Sequence, residues 1–189
     1  CVMTGKPRIY WDTAPLIAWI TDERRSPEEI AGLEEVVELI ERQKIVLFTS
    51  AIWRVEVLDS SLTDEQKQTL RQLFDGRYIT DVAADSRIFD LAHEIRNYYQ
   101  IERQKDQSQP KISTPDALHL ATAILNDAAE FHTFDGAKQN GGVGKLIRLN
   151  GNVAGHNLKI CVPTGKQLRL RLDYGNENQE PADQEQEQG

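Results

Sequence analysis

The apolar positions of the chain follow two patterns, one with a helical period and one typical of strands. Leu33 begins a series of apolar residues at i, i+3, i+4 and i+7, which is the stripe of an amphipathic helix. The continuous apolar run Ile45–Phe48 instead has the length and composition of a strand buried on both faces. These two patterns alternate along the chain and predict helices between successive strands.

This order of elements predicts an α/β protein. We expect a three-layer α/β/α sandwich with a mostly parallel central sheet, because parallel neighbours need helical crossovers. The predicted strands are Arg8–Trp11, Ile45–Phe48, Tyr78–Val82, Phe131–Phe134 and Leu158–Val162. The predicted helices contain or follow Leu16, Pro27, Thr49-Ser50 (as a cap), Thr63, Ile88 and Thr114.

Length and charge divide the 189 residues into one domain with two flanking segments. We predict an N-terminal extension at 1–7, a domain at 8–163 and an acidic, Gln- and Glu-rich tail at 164–189 that is disordered. The net charge is −8, but six acids and no Lys or Arg lie from Asp173 onward. Residues 1–172 therefore hold 22 basic and 24 acidic residues, a balance that excludes a broad basic nucleic-acid footprint and leaves room for a local basic patch.

No apolar run approaches the roughly 20 residues of a membrane span, so we expect no membrane association. No signal peptide is visible either. The two cysteines, Cys1 and Cys161, lie at opposite ends and suggest neither a disulfide framework nor a zinc site. A reducing, cytoplasmic location is therefore expected.

Four acidic residues are predicted near the carboxyl ends of the strands, where open α/β sheets bind ligands. Asp12 and Asp135 directly follow predicted strands, Asp116 opens a helix, and Glu56 lies about two turns into another helix. Three of these positions have structural alternatives. Asp12 and Asp116 could cap helices, and Asp135 before Gly136 could form a turn.

Glu56 is harder to explain structurally, because it lies between Val55, Val57 and Leu58 on a helix expected to pack on the sheet. A buried carboxylate needs a partner, which could be a metal or a facing arginine. Four converging acids would repel one another without a cation, and oxygen ligands suit Mg²⁺ or Mn²⁺. Such a site permits metal-assisted hydrolysis of a phosphodiester.

These segments resemble the PIN-domain ribonucleases, and most closely the VapC-type toxins of bacterial toxin–antitoxin systems. Asp12, Glu56, Asp116 and Asp135 occupy the family's four acidic positions in order. The matching segments within residues 8–163 are Ile9-Tyr10-Trp11-Asp12-Thr13-Ala14-Pro15-Leu16, Val55-Glu56-Val57-Leu58, Thr114-Pro115-Asp116-Ala117-Leu118-His119-Leu120-Ala121-Thr122-Ala123 and Phe131-His132-Thr133-Phe134-Asp135.

The resemblance implies a Mg²⁺- or Mn²⁺-dependent endoribonuclease. It implies that Asp12, Asp116 and Asp135 are metal ligands and that Glu56 binds through water or orients the attacking water. Thr13 and Thr133 fit as hydroxyl donors that hold the carboxylates. His119 either packs in the core or acts near the site. No acid lies among residues 136–139, shortly after Asp135, a departure from many members of the family that puts a second metal in doubt.

The resemblance also implies partners, namely an RNA substrate, a small antitoxin protein and a second copy in a homodimer. Helices 33–41 and 63–74 are candidate partner surfaces, although packing within the chain would explain their apolar stripes equally well. Candidate phosphate ligands are Arg54, Lys111, Lys138 and Lys145. The alternatives are a PIN nuclease of RNA processing or turnover and a non-catalytic RNA- or protein-binding PIN module. A phospho-accepting receiver-like module is disfavoured, because Asp12 stands alone after its strand.

Overall fold

A computed structural model describes residues 5–21, 23–57, 61–75, 78–136 and 146–165. The predicted phosphate ligands Lys138 and Lys145, the helical Leu58 and the tail from residue 166 lie outside the described residues. Strands are β1 (Arg8–Trp11), β2 (Val46–Ser50), β3 (Ile79–Val82), β4 (Glu130–His132) and β5 (Ile160–Cys161). Helices are α1 (Thr13–Thr21), α2 (Pro27–Glu41), α3 (Trp53–Glu56), α4 (Asp64–Asp75), α5 (Ser86–Lys105) and α6 (Thr114–Leu125).

The strands form a parallel sheet in the order β3-β2-β1-β4-β5, with β1 at its centre. In register, Tyr10 lies opposite Phe48 of β2 and Phe131 of β4. Because all five strands point the same way, their carboxyl ends meet at one edge of the sheet. The predicted α/β/α sandwich is confirmed.

Each face of the sheet packs against its own set of helices. Tyr10 lies in a core formed with α5 and α6, whereas its neighbours Ile9 and Trp11 lie in a second core with α1, α2 and α4. This division follows from the alternation of side chains along a strand. The stripes of α2 and α4 contribute Leu33, Val36, Leu39 and Leu70 to the second core, so packing within the chain accounts for these residues.

Local signals fix the starts of two helices. Ser26 and Glu29 form a reciprocal capping box at the start of α2, and Ser113 and Asp116 form another at the start of α6. Both helices also carry proline in the first turn, where its missing N–H costs nothing. The cap of α6 is Ser113, one residue before the Thr114 that opens the helix.

The sequence-based prediction was wrong about the residues after the second strand. Thr49 and Ser50 belong to β2, where they pair with β3, and do not cap a helix. Both residues are fully buried, which is consistent with a strand covered on both faces. The helix that follows is the single turn α3, and Glu56 is its last residue instead of lying two turns in. Likewise, β4 ends at His132, so Asp135 does not directly follow it.

The described helices include none with both the length and the apolar character that crossing a membrane requires.

Candidate active site

Asp12 lies just past the end of β1, the central strand, with its carboxylate held from two sides. Oδ1 accepts a hydrogen bond from the backbone N–H of Thr13 at 2.6 Å, and Oδ2 accepts one from the Thr133 hydroxyl at 2.7 Å. Only 14% of the side chain is exposed. Burial raises the pKa of Asp12, and the nearby His119 and these hydrogen bonds offset only part of that effect. Asp12 is therefore a buried carboxylate whose negative charge is incompletely compensated.

Glu56 reaches the same place from the end of α3. Its Oε2 accepts hydrogen bonds from the Thr13 hydroxyl and from Nε2 of His119, the latter at 2.8 Å. Burial raises the pKa of Glu56, but His119 and Thr13 outweigh burial and leave that pKa below its ordinary value. Glu56 is thus held as a carboxylate that is a quarter exposed.

The partner of Glu56 is a histidine and not the arginine considered from the sequence. Arg54 instead pairs with Asp81 and lies over the Trp53 ring, 4.9 Å from its centroid. The neighbouring Val55 is 74% exposed, so the surroundings of Glu56 are also less apolar than predicted.

His119 joins the carboxylates to the core. The Tyr10 hydroxyl accepts from the backbone N–H of Ser50 at 3.0 Å and lies 2.5 Å from Nδ1 of His119. In the neutral imidazole that donates from Nε2 to Glu56, Nδ1 accepts the Tyr10 proton, whereas in the imidazolium both ring nitrogens donate. Nε2 also lies 3.7 Å from Oδ1 of Asp12. Burial lowers the pKa of His119, but Glu56 and the other carboxylates raise it above its ordinary value.

Asp116 serves two purposes at the start of α6. Its Oδ2 accepts a hydrogen bond from the backbone N–H of Ser113 at 3.1 Å, completing the capping box. It also lies close enough to His119, one turn further along the helix, to raise the pKa of that imidazole. The structural alternative, an acid that caps the start of the helix, is therefore confirmed.

Asp135 is tied to Asp12 through the buried hydroxyl of Thr133. This hydroxyl donates to Asp12 and accepts from the backbone N–H of Asp135 at 3.0 Å. The Asp135 carboxylate accepts from the N–H of Leu146, which begins a 3₁₀ turn over Leu146–Leu149. The structure thus brings Asp12, Glu56 and Asp116 around His119, with Asp135 joined to the group by Thr133.

The donor set fits a hard divalent cation. The four predicted acids offer only oxygen, the ligand type that Mg²⁺ and Mn²⁺ prefer. A cation would also supply the positive charge that the buried carboxylate of Asp12 lacks. The hydroxyls of Thr13 and Thr133 orient carboxylates in the manner expected for residues that support metal ligands.

A second polar cluster lies on the opposite face of the sheet, where Glu130, His132 and Cys161 offer ligand atoms within 4.8 Å of one another. The indole N–H of Trp11 donates to Nδ1 of His132 at 3.2 Å, so the Nε2 proton of His132 is directed at Glu130, 2.9 Å away. Lys159 pairs with Glu130 at 2.6 Å.

Both imidazole nitrogens are therefore engaged in hydrogen bonds, and burial raises the pKa of the Cys161 thiol to about 12. This cluster is a satisfied ion-pair network, and its donor set is not free for a metal. Sequence reasoning did not connect Cys161 with these residues, because the pairing of β4 with β5 brings them together.

Sequence reasoning also missed Tyr10 and underrated His119. The signal for His119 was its position one turn after Asp116, which places both side chains on one face of α6. Tyr10 carried no signal, because an aromatic residue in a central strand is ordinary core composition.

The chain matches a known protein family. The family model described as PIN domain matches residues 9–139. A comparison with proteins of curated function finds no match.

Among solved structures, the chain is similar to VapBC2 from Rickettsia felis bound to a DNA fragment from its promoter. The TM-score is 0.53 and the identity 15%, over 81% of this chain and 98% of that one. A toxin-antitoxin complex from Klebsiella pneumoniae matches with a TM-score of 0.49 and 20% identity, over 82% and 97% of the two chains. FitAcB from Neisseria gonorrhoeae matches with a TM-score of 0.45 and 19% identity, over 67% and 87%.

Proposed function

The chain belongs to the PIN domain family, and on that premise we propose that it is a metal-dependent endoribonuclease. It hydrolyses RNA phosphodiester bonds at the cluster of Asp12, Glu56, Asp116 and Asp135. PIN domains are nucleases, which supports a hydrolase. The observation that carries the proposal is the shared environment of these acids, where His119 contacts Glu56 and Thr133 links Asp12 to Asp135.

We assign the binding of Mg²⁺ or Mn²⁺ to Asp12, Asp116 and Asp135. The ion supplies Lewis acidity that stabilises developing negative charge on the scissile phosphate. Asp12 is pre-oriented for this role, since Thr13 and Thr133 fix its two oxygens and leave little rotational freedom to lose on binding. The proposal needs one ion only, as residues 136–139, directly after Asp135, contain no further acid.

Glu56 is assigned to the attacking water. Its pKa is held below the ordinary value, so the group is a carboxylate at neutral pH and can accept a proton from water. The hydrogen bonds from Thr13 and His119 both go to Oε2, so they orient the carboxylate and leave Oε1 to face the water. As the water oxygen bonds to phosphorus and its proton passes to Glu56, the bond from phosphorus to the leaving oxygen breaks. The leaving oxygen keeps the electron pair of that bond and takes up a proton from solvent.

The first test is cleavage of labelled RNA by purified protein with Mg²⁺ or Mn²⁺ and with EDTA. Asp12→Asn and Asp116→Asn remove charge with little change in shape, and Asp64→Asn is a matched control because its side chain is fully exposed on α4. We expect wild type and the control to cleave, EDTA to stop cleavage, and the two site variants to be folded and inactive. Cleavage by the site variants at the wild-type rate would place the activity elsewhere.

We also propose that the protein is the toxin of a toxin–antitoxin pair, that it works in the cytoplasm as a homodimer, and that a small antitoxin protein holds it inactive. The fold that the chain shares with VapBC2 supports this role. The test is growth arrest on expression, relieved by the product of an adjacent small gene. Cleavage without toxicity would favour a PIN nuclease of RNA processing. RNA binding that needs no metal and leads to no cleavage would favour a non-catalytic module.

A further inference from the structure

A basic groove of about 250 Å³ lies between α5 and the loop that leads into α6. Its polar lining consists of His93, Arg96, Asn97, Gln100, Arg103 and Lys111. The five residues of α5 lie at i, i+3, i+4, i+7 and i+10, so they form one continuous face about 15 Å long. No acidic residue is among the described residues that line this groove.

The described lining of the basic groove holds cations without a compensating acid. In the described part of the chain, neither Arg96 nor Lys111 forms an ion pair. Some exposed arginines elsewhere pair with a carboxylate, among them Arg42 with Glu38, Arg54 with Asp81 and Arg87 with Asp85. Two uncompensated cations in one concave site, on a domain with no net positive charge, indicate a local anion site.

Arg103 of α5 holds the loop that forms the second wall of the groove. Its Nη1 donates to the backbone carbonyls of Gln107 and Gln109, at 3.2 and 2.5 Å. These bonds hold the loop that presents Lys111 opposite the helix face. The shape of the groove is therefore set by the fold, because Arg103 ties the loop to the helix.

We propose that the basic groove binds the phosphates of a single-stranded segment of the RNA substrate, with Arg96 and Lys111 as the phosphate ligands. This inference rests on the proposed function. Phosphate contacts position a nucleic acid without reading its sequence, which suits amide and cationic side chains. Phe89, one turn before His93 and 54% exposed, offers a ring on which a base can stack.

The groove is near enough to the four acids for one strand to reach both. Lys111 precedes Asp116 by five residues, so their Cα atoms lie at most about 18 Å apart. RNA is a better match than an acidic protein segment, because the lining pairs cations with amide groups and adjoins an exposed aromatic ring.

The test measures binding and leaves cleavage out. A fluorescent single-stranded RNA of about twelve nucleotides is titrated with protein in EDTA at several salt concentrations. The double variant Arg96→Gln/Lys111→Gln is compared with Lys44→Gln/Arg71→Gln, which makes the same charge change at exposed positions outside the groove.

We expect the loss of two phosphate contacts to reduce the slope of log affinity against log salt by about 1.4. Between about 50 and about 200 mM salt, wild type would then lose about sevenfold more affinity than the groove variant. Phe89→Ala should weaken binding without changing this slope, because stacking releases no counterions.

An unchanged salt slope in the groove variant, or an equal change in the control pair, would overturn the inference. So would tighter binding of poly-glutamate than of RNA to wild type, since that result would make the occupant an acidic protein segment. If wild type cleaves RNA while the groove variant binds RNA like wild type, the groove is not the RNA site and the proposed nuclease function is retained. If wild type binds RNA through the groove and cleaves no RNA with either metal, the proposed nuclease function is wrong and the groove is retained as an RNA-binding site.

Discussion

Nε2 of His119 lies 2.8 Å from Oε2 of Glu56, although 63 positions separate the two residues in the chain. The contact joins α6 to the single turn of α3 at the carboxyl edge of the sheet. On its other side, His119 is held by Tyr10 of the central strand. The orientation of Glu56 is therefore set by the core of the protein and not by its own short helix.

Replacing His119 should reduce catalysis without affecting RNA binding. His119→Ala leaves Glu56 without its imidazole partner, and we expect the cleavage rate to fall by about 10–100-fold. The value of kcat should fall while KM for RNA stays constant, because His119 is buried and touches no substrate. His119→Gln, which retains an N–H donor, should recover part of the rate. The control is His156→Ala at a half-buried position outside the site. A wild-type kcat in folded His119→Ala would show that His119 does not position Glu56.

Thr133 should be needed for its hydroxyl and not for its volume. Thr133→Val keeps the shape but removes the bridge between Asp12 and the N–H of Asp135, and we expect metal affinity to fall by about 10–100-fold. Thr133→Ser should restore it. Thr122→Val is the matched control, since Thr122 is also fully buried but bonds only a helix carbonyl. Calorimetric titration with Mn²⁺ measures the effect, and equal losses in both valine variants would contradict it.

The buried pair of Glu130 and His132 should make stability depend on pH. Burial lowers the pKa of His132, so the folded state favours the neutral imidazole. The stability from this pair is therefore present above the ordinary histidine pKa of about 6.5 and is lost as pH falls through the lower folded pKa.

His132→Gln should cost about 1–3 kcal/mol at neutral pH, and the gap to wild type should narrow as pH falls from about 7 to about 5. Urea unfolding at several pH values measures this gap, with His93→Gln at an exposed position as control. If the difference in free energy of unfolding between wild type and His132→Gln increased on acidification, the result would contradict this prediction.

Gly32 should be intolerant of any side chain. A Cβ at this position of α2 would lie 2.1 Å from the carbonyl oxygen of Pro163. Alanine favours helices, yet we expect Gly32→Ala to lower the free energy of unfolding by about 1–3 kcal/mol, because the 162–165 segment must move. Gly5→Ala, with no atom within 4 Å of the new Cβ, is the control in urea denaturation. A stabilised Gly32→Ala would mean that this segment is not packed on α2.

Sequence patterns predicted the fold well wherever they were local. The apolar run at Ile45–Phe48 and the helical stripe from Leu33 identified β2 and α2, and the acid opening α6 was placed correctly. Predictions of where elements end were weaker. Thr49 and Ser50 have the composition of a helix cap, but pairing with β3 keeps them in the strand, and no local pattern contains that pairing.

By itself, the sequence determined the order of strands and helices, the family resemblance, and the places of Asp12 after the central strand and Asp116 at the start of α6. Those properties depend on the spacing of apolar side chains and on the order of residues along the chain. Both can be identified within short segments of the sequence. The tertiary structure alone decided which groups hold the acids: His119 for Glu56, Thr133 for Asp12, and a basic groove that unites Arg96 with Lys111. The physical reason is that a hydrogen bond acts only over about 3 Å in space, whereas its partners here lie up to 121 positions apart in the sequence. Only folding brings them together.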